Sequence, residues 1–184
     1  GPVVFNFKFH CKGWHERSSS TKPISIVVEV QETIEPGGKD LKSSTVRVNY
    51  LHLDSEELRL VQAVHFDFAP PMADHAQFHA QISNELIAFE DGETEALELP
   101  TPLSTPPQTQ IRTTRIPTCD MTMASVMLCL VADHVGGPQF GEFYNNVKGL
   151  QSSLPQPKVE ALKQSLGVGC LDVRGTHWFA HQFP

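Results

Sequence analysis

Along the first ninety positions hydrophobic residues recur at every second place, the period of strands with one buried face. Phe5, Phe7 and Phe9 alternate with Asn6, Lys8 and His10, so Val3 to Cys11 is expected to be a strand. Ile24, Ile26, Val28 and Val30 predict a second strand, dense in β-branched residues, and Val46, Val48 and Tyr50 a third. Between these two lies Glu35-Pro-Gly-Gly-Lys39, where proline fixes one dihedral and glycine permits positive φ; they are therefore expected to pair antiparallel. A fourth strand is expected from Leu60 to Phe68. Leu60, Gln62, Val64, Phe66 and Phe68 fall on one face of it, and Val61, Ala63, His65 and Asp67 on the other. From Gln77 to Phe89 both periods fit, and the alternation of Phe78, Ala80 and Ile82 favours a strand at the start. Gly13 to Lys22 is expected to be a serine-rich loop, and Asp54 to Glu57 a short acidic bend.

The pattern then changes. Asp91 to Thr109 is acidic at first and proline-rich afterwards, with Pro100, Pro102, Pro106 and Pro107 excluding a helix interior or a central strand. An extended connector is expected over 91–118, dividing a β-rich part (1–90) from a helical part (119–184). Met123, Val126, Met127, Leu130 and Val131 recur at helical spacing, with Asp120 as a candidate cap and Gly136-Gly-Pro138 as a stop. A shorter helix is expected over Phe140 to Leu150. A third should begin at Pro157 and carry Val159, Leu162 and Leu166 on one face. Strands first and helices afterwards predict an α+β fold: an N-terminal antiparallel sheet of four to five strands, packed by two to three C-terminal helices.

The 184 residues suit one domain, and a 40% apolar, 19% charged composition is ordinary for a globular chain. Gly1-Pro2 resembles a protease-cleavage scar, which would make the chain a fragment of a longer one. No apolar run is long enough to span a bilayer, so no membrane partner is expected. A formal charge of −7 argues against a general duplex-binding surface, because such a surface must displace many counterions. Four dispersed cysteines (Cys11, Cys119, Cys129, Cys170), none in a CxxC pair, are read as reduced and buried thiols in a cytoplasmic protein. Cys129 in particular is expected to be inert inside the apolar helix.

Candidate chemistry concentrates between Leu60 and Gln81. His65, Asp67, Asp74, His75 and His79 fall in that window, and His65 and Asp67, two apart on a strand, point the same way. Two imidazoles with a carboxylate suit zinc, iron or manganese, which makes His65, Asp67, His75 and His79 candidate metal ligands. His65 and Asp67 are equally a candidate base and its orienting acid. The bland alternative pairs His65 with Asp67 or with a neighbouring strand and has His75 capping a turn with Asp74. A second cluster, His10, Cys11, Trp14, His15 and Glu16, would join His65 only if the first and fourth strands were neighbours. A third is the aromatic tail His177-Trp-Phe-Ala-His181, where Trp178 and Phe179, with Trp14, are candidate partner contacts. Cys119, Cys129 and His134 form a weaker candidate nucleophile and base.

There is no GxGxxG, GxxxxGK[ST] or GxSxG motif, nor a kinase signature, so nucleotide-dependent chemistry is disfavoured. The histidine-flanked Phe66-Asp-Phe68 strand with its Pro70-Pro71 break resembles small accessory proteins of bacterial toxin or defence operons. That resemblance implies a component of a multi-protein system. The leading expectation is a protein-interaction or regulatory domain that contacts another protein or itself and needs no cofactor. Its alternative is a metal-dependent hydrolase of the phosphodiesterase or nuclease kind, using a divalent metal at the His/Asp cluster. A small-molecule pocket between sheet and helices is a third reading.

Overall fold

The computed structural model describes residues 1–17, 20–54, 56–68, 78–100, 103–104, 115–117, 122–134, 137–150 and 153–157. Its strands are β1 (Val3–Arg17), β2 (Ser20–Ile34), β3 (Asp40–Asp54), β4 (Glu57–Phe68) and β5 (Phe78–Ser83). After them come α1 (Glu93–Ala96), β6 (Leu103–Ser104), β7 (Arg115–Pro117), α2 (Met123–His134), α3 (Gly137–Leu150) and β8 (Gln156–Pro157). The first five strands form an antiparallel meander and the longer helices follow, as the strand-then-helix pattern predicted. Sheet order is β1-β2-β3-β4-β5-β7, with β6 added parallel to β4 and β8 parallel to β3.

Alternation gives the sheet two unlike faces. Ile26, Val28, Val30, Val46 and Val48 are buried on one of them, against Val126 and Leu130 of α2, with Phe9, Cys11, Tyr50 and Phe66 around the rim. Val126 and Leu130 lie four apart on α2, so a single seam of the helix meets the sheet. Cys129 sits one place before Leu130, which turns it about 100° off that seam. It is therefore exposed, contrary to the buried thiol expected of it. Gly13 permits the close crossing, because a Cβ there would lie 2.8 Å from Ile26 Cδ1 and 3.0 Å from His134 Cβ.

The opposite face is covered over part of its width by residues 84–100 and 103–104, which cross the sheet as a strap. Ile87, Leu97, Leu99 and Leu103 pack on Val27, Leu51, Leu58 and Leu60. The proline-rich stretch thus contributes core residues and strand β6, where a plain connector was expected. Asn49, fully buried, holds the strap: its Oδ1 accepts from Ile87 N at 2.7 Å and its Nδ2 donates to Glu85 O at 3.4 Å.

Three further expectations are corrected. The first hairpin continues through Gly13↔Ile24 to Arg17↔Ser20, so most of the serine-rich stretch is strand. Backbone pairing, once established, extends a ladder through polar residues as readily as through apolar ones. Register shifts where Tyr50 opposes Gln62 and Leu51 opposes Leu60. The extra residue, Val61, bulges outward at 66% exposure and reverses the parity of β4. Leu60 therefore joins the His65 face, not the Val64 face. Pro157, expected to start a helix, instead pairs with Leu41 in β8. The rest of that helix, Asp120 and the aromatic tail lie outside the described residues.

Candidate functional site

Beside the strap, the second face carries polar residues in register across the strands. Lys8, Glu29, Arg47, His65 and Gln81 are successive cross-strand partners, and so are Asn6, Gln31, Thr45, Asp67 and His79. Adjacent side chains on one face of an antiparallel pair lie close enough to interact directly. In the first row charge alternates. Glu29 accepts from Arg47 Nη1 at 2.8 Å and lies 3.8 Å from Lys8 Nζ. Lys8 in turn donates to both carboxylate oxygens of Glu93, at 2.9 Å, and so ties β1 to the strap.

In the second row His79 Nε2 lies 3.3 Å from Asp67 Oδ2, with Thr45 a further hydrogen-bond donor to the carboxylate. Burial pushes the Asp67 carboxyl upward, but the hydrogen bonds from His79 and Thr45 and the charges of His79 and His65 outweigh it. Its net shift is below the ordinary carboxylate value. His65 moves down too, first because burial disfavours the imidazolium; Arg47 adds to this, and Asp67, Glu85 and Glu29 oppose it. An acid that orients an imidazole is the arrangement a general base needs. Here, however, the imidazole of His79 is only 2% exposed, while Asp67 keeps 22% of its side chain accessible. The pair presents its carboxylate outward and its base inward.

Of the expected site residues, Asp67 and His79 meet and His65 stands beside Asp67 on the same face. His75 lies outside the described residues. Among the described residues no three His, Cys, Asp or Glu side chains converge on a point that could hold a metal ion. His10 does not join His65, because β2 and β3 stand between their strands. Its Nδ1 instead donates to Leu97 O at 2.9 Å, and its buried Nε2 has no hydrogen-bond partner among the described residues. Trp14 belongs to β1, opposite Pro23, while Trp178 and Phe179 lie outside the described residues. Lys8, Glu29, Thr45 and Arg47 were not singled out from sequence. The available signal was that each occupies the non-apolar position of an alternating strand.

A second feature needs no catalytic residue. β1 is an edge strand, and no described element pairs with its outer side. Toward its start Val3, Phe5 and Phe7 are 42% to 49% exposed, whereas Phe9 and Cys11 further along the same row pack against the α2 cluster; Val4, on the strap face, is 58% exposed. A cleft of about 290 Å³ also opens between α2, α3 and the 154–156 segment, with Glu32 among its lining residues together with Tyr144 and Lys148. No helix among the described residues is long and apolar enough to cross a membrane.

Comparison with known proteins adds nothing to this geometry: no family model, no curated protein and no solved structure matches the chain.

Proposed function

We propose that this is a protein-interaction domain whose binding element is the open edge of β1. The observation that carries the reading is the coincidence, on one stretch, of a strand edge with no partner among the described residues and of Val3, Phe5 and Phe7 half exposed. A strand edge supplies a row of backbone donors and acceptors, and alternate side chains beside it supply selectivity. The inward-turned imidazole of His79 favours binding over catalysis at the polar face. The test is fluorescence anisotropy with a labelled, unrelated strand peptide that alternates threonine with valine and phenylalanine. The whole chain should bind it, and Phe5→Lys/Phe7→Lys should weaken binding about tenfold or more. Failure of the wild-type chain to bind any such peptide at ~1 mM would remove the reading.

The contact between Asp67 and His79 keeps a second reading in play, a metal-dependent hydrolase using His65, Asp67, His75 and His79. Elemental analysis decides it. Near-stoichiometric zinc, iron or manganese that is lost in His65→Ala/His79→Ala would put it first.

A further inference from the structure

The two outer strands of the sheet are built differently. Among the described residues the far edge is β7, three residues long and ending in Pro117. Brevity and proline are both devices that stop a sheet from growing. β1 has neither. It runs fifteen residues with no proline and pairs with β2 without a bulge. The usual remaining blocker is an inward-pointing charge, and Lys8 holds that position. Glu93 at 2.9 Å and Glu29 at 3.8 Å compensate it from within the same chain.

The sequence of β1 is also self-complementary. In an antiparallel pair of identical strands related by a twofold axis, the residue on the axis fixes every other partner. An axis at Lys8 opposes two ammonium groups, which is unfavourable. An axis at Asn6 leaves Cys11 without an apolar partner. With the axis at Phe7, Val3 meets Cys11, Phe5 meets Phe9 and Phe7 meets itself, so the whole apolar row is matched. In that register Lys8 faces Asn6 and no like charges meet. The phenylalanines left half exposed beyond the reach of α2 are the ones this arrangement covers.

We infer that the partner of the β1 edge is a second copy of this chain, joined antiparallel about a twofold axis at Phe7 so that two sheets become one. The inference rests on the interaction reading above and specifies its occupant.

Sedimentation velocity of the whole chain across a concentration series tests it. The wild type should show a concentration-dependent dimer, and Phe7→Lys should be monomeric. Asn6→Lys, at an exposed position that leaves the fold intact, puts a second ammonium opposite Lys8 and should weaken the dimer about three- to tenfold. Asn6→Glu should tighten it by a similar factor. A dimer that persists unchanged in Phe7→Lys and Asn6→Lys, with native circular dichroism, would place the contact elsewhere and overturn the inference. A wild type that stays monomeric throughout also overturns it. The unrelated strand peptide then separates the two failures: if it still binds, the edge serves a different protein, and if it does not, the interaction reading falls as well.

Discussion

The two faces of this sheet are stabilised by different physics. On the α2 face, Ile26, Val28, Val30, Val46 and Val48 pack against one helical seam, and cohesion comes from removing apolar surface from water. On the strap face a smaller apolar patch is held down by directional bonds: Asn49 to Ile87 and Glu85, Lys8 to Glu93, and His10 to Leu97. An apolar seam tolerates a lost methylene by partial collapse. A hydrogen-bonded strap does not where the bond is buried, because breaking the contact of Asn49 with the Ile87 amide leaves a buried donor unpaired. The faces should therefore fail in different ways.

The largest effect is expected on the helix face. Leu130→Ala removes a side chain that is only 6% exposed and should cost about 2–4 kcal/mol in urea unfolding. The loss should be global, with amide exchange faster throughout the sheet. On the strap face, Asn49→Ala strands the Ile87 amide and the Glu85 carbonyl and should cost about 1–3 kcal/mol. Its signature should be local: amides of the 85–99 segment should exchange faster while those of β2 keep their protection. Uniform loss of protection in both variants would show that the strap is no separate unit.

How legible each face was from sequence follows the same division. The helix face was readable, since Val28, Val48 and Phe66 stand at strict alternation and Val126 and Leu130 at helical spacing. The strap face was not. Leu97, Leu99 and Leu103 sit among acidic residues and prolines that suggest a solvated linker, and only the completed sheet provides a hydrophobic site for them. The Val61 bulge was equally hidden, because an inserted residue leaves local composition unchanged while reversing every side chain beyond it. At the candidate site, the proximity of His65 to Asp67 followed from spacing alone. The Asp67–His79 pair required the β4–β5 register, which lies across the Pro70-Pro71 break.

Gly13→Ala probes the seam at its tightest point and should cost about 1–3 kcal/mol, since the added methyl must displace Ile26 or His134. Fluorescence of Tyr50, whose ring lies 5.4 Å from that of His134, should report the shift of α2. An unchanged midpoint with unchanged fluorescence would mean that the helix end yields freely, and that the close approach is not what seats it.

The smallest effect sharpens the comparison most, because each face carries a carboxylate whose pKa is displaced, and the two are displaced in opposite directions. Glu32, beside α2, is raised above its ordinary value near 4.5 because burial outweighs the hydrogen bonds from Ser44 and the Met123 amide. A raised folded-state value means that the native protein binds the proton more tightly than the unfolded chain. The stability Glu32 contributes is thus present below about pH 4.5 and is lost as pH rises through the raised value. Asp67 is lowered below 3.8, so its contribution is present above that pH and is lost as pH falls through the depressed value. Glu32→Gln should therefore recover stability at neutral pH while the acid limb of the profile stays as in the wild type. Asp67→Asn should lose stability at neutral pH and flatten the acid limb. Urea midpoints from pH 3 to pH 8 for the three proteins provide the check. Parallel curves would mean that neither face distinguishes its carboxylate from one in water.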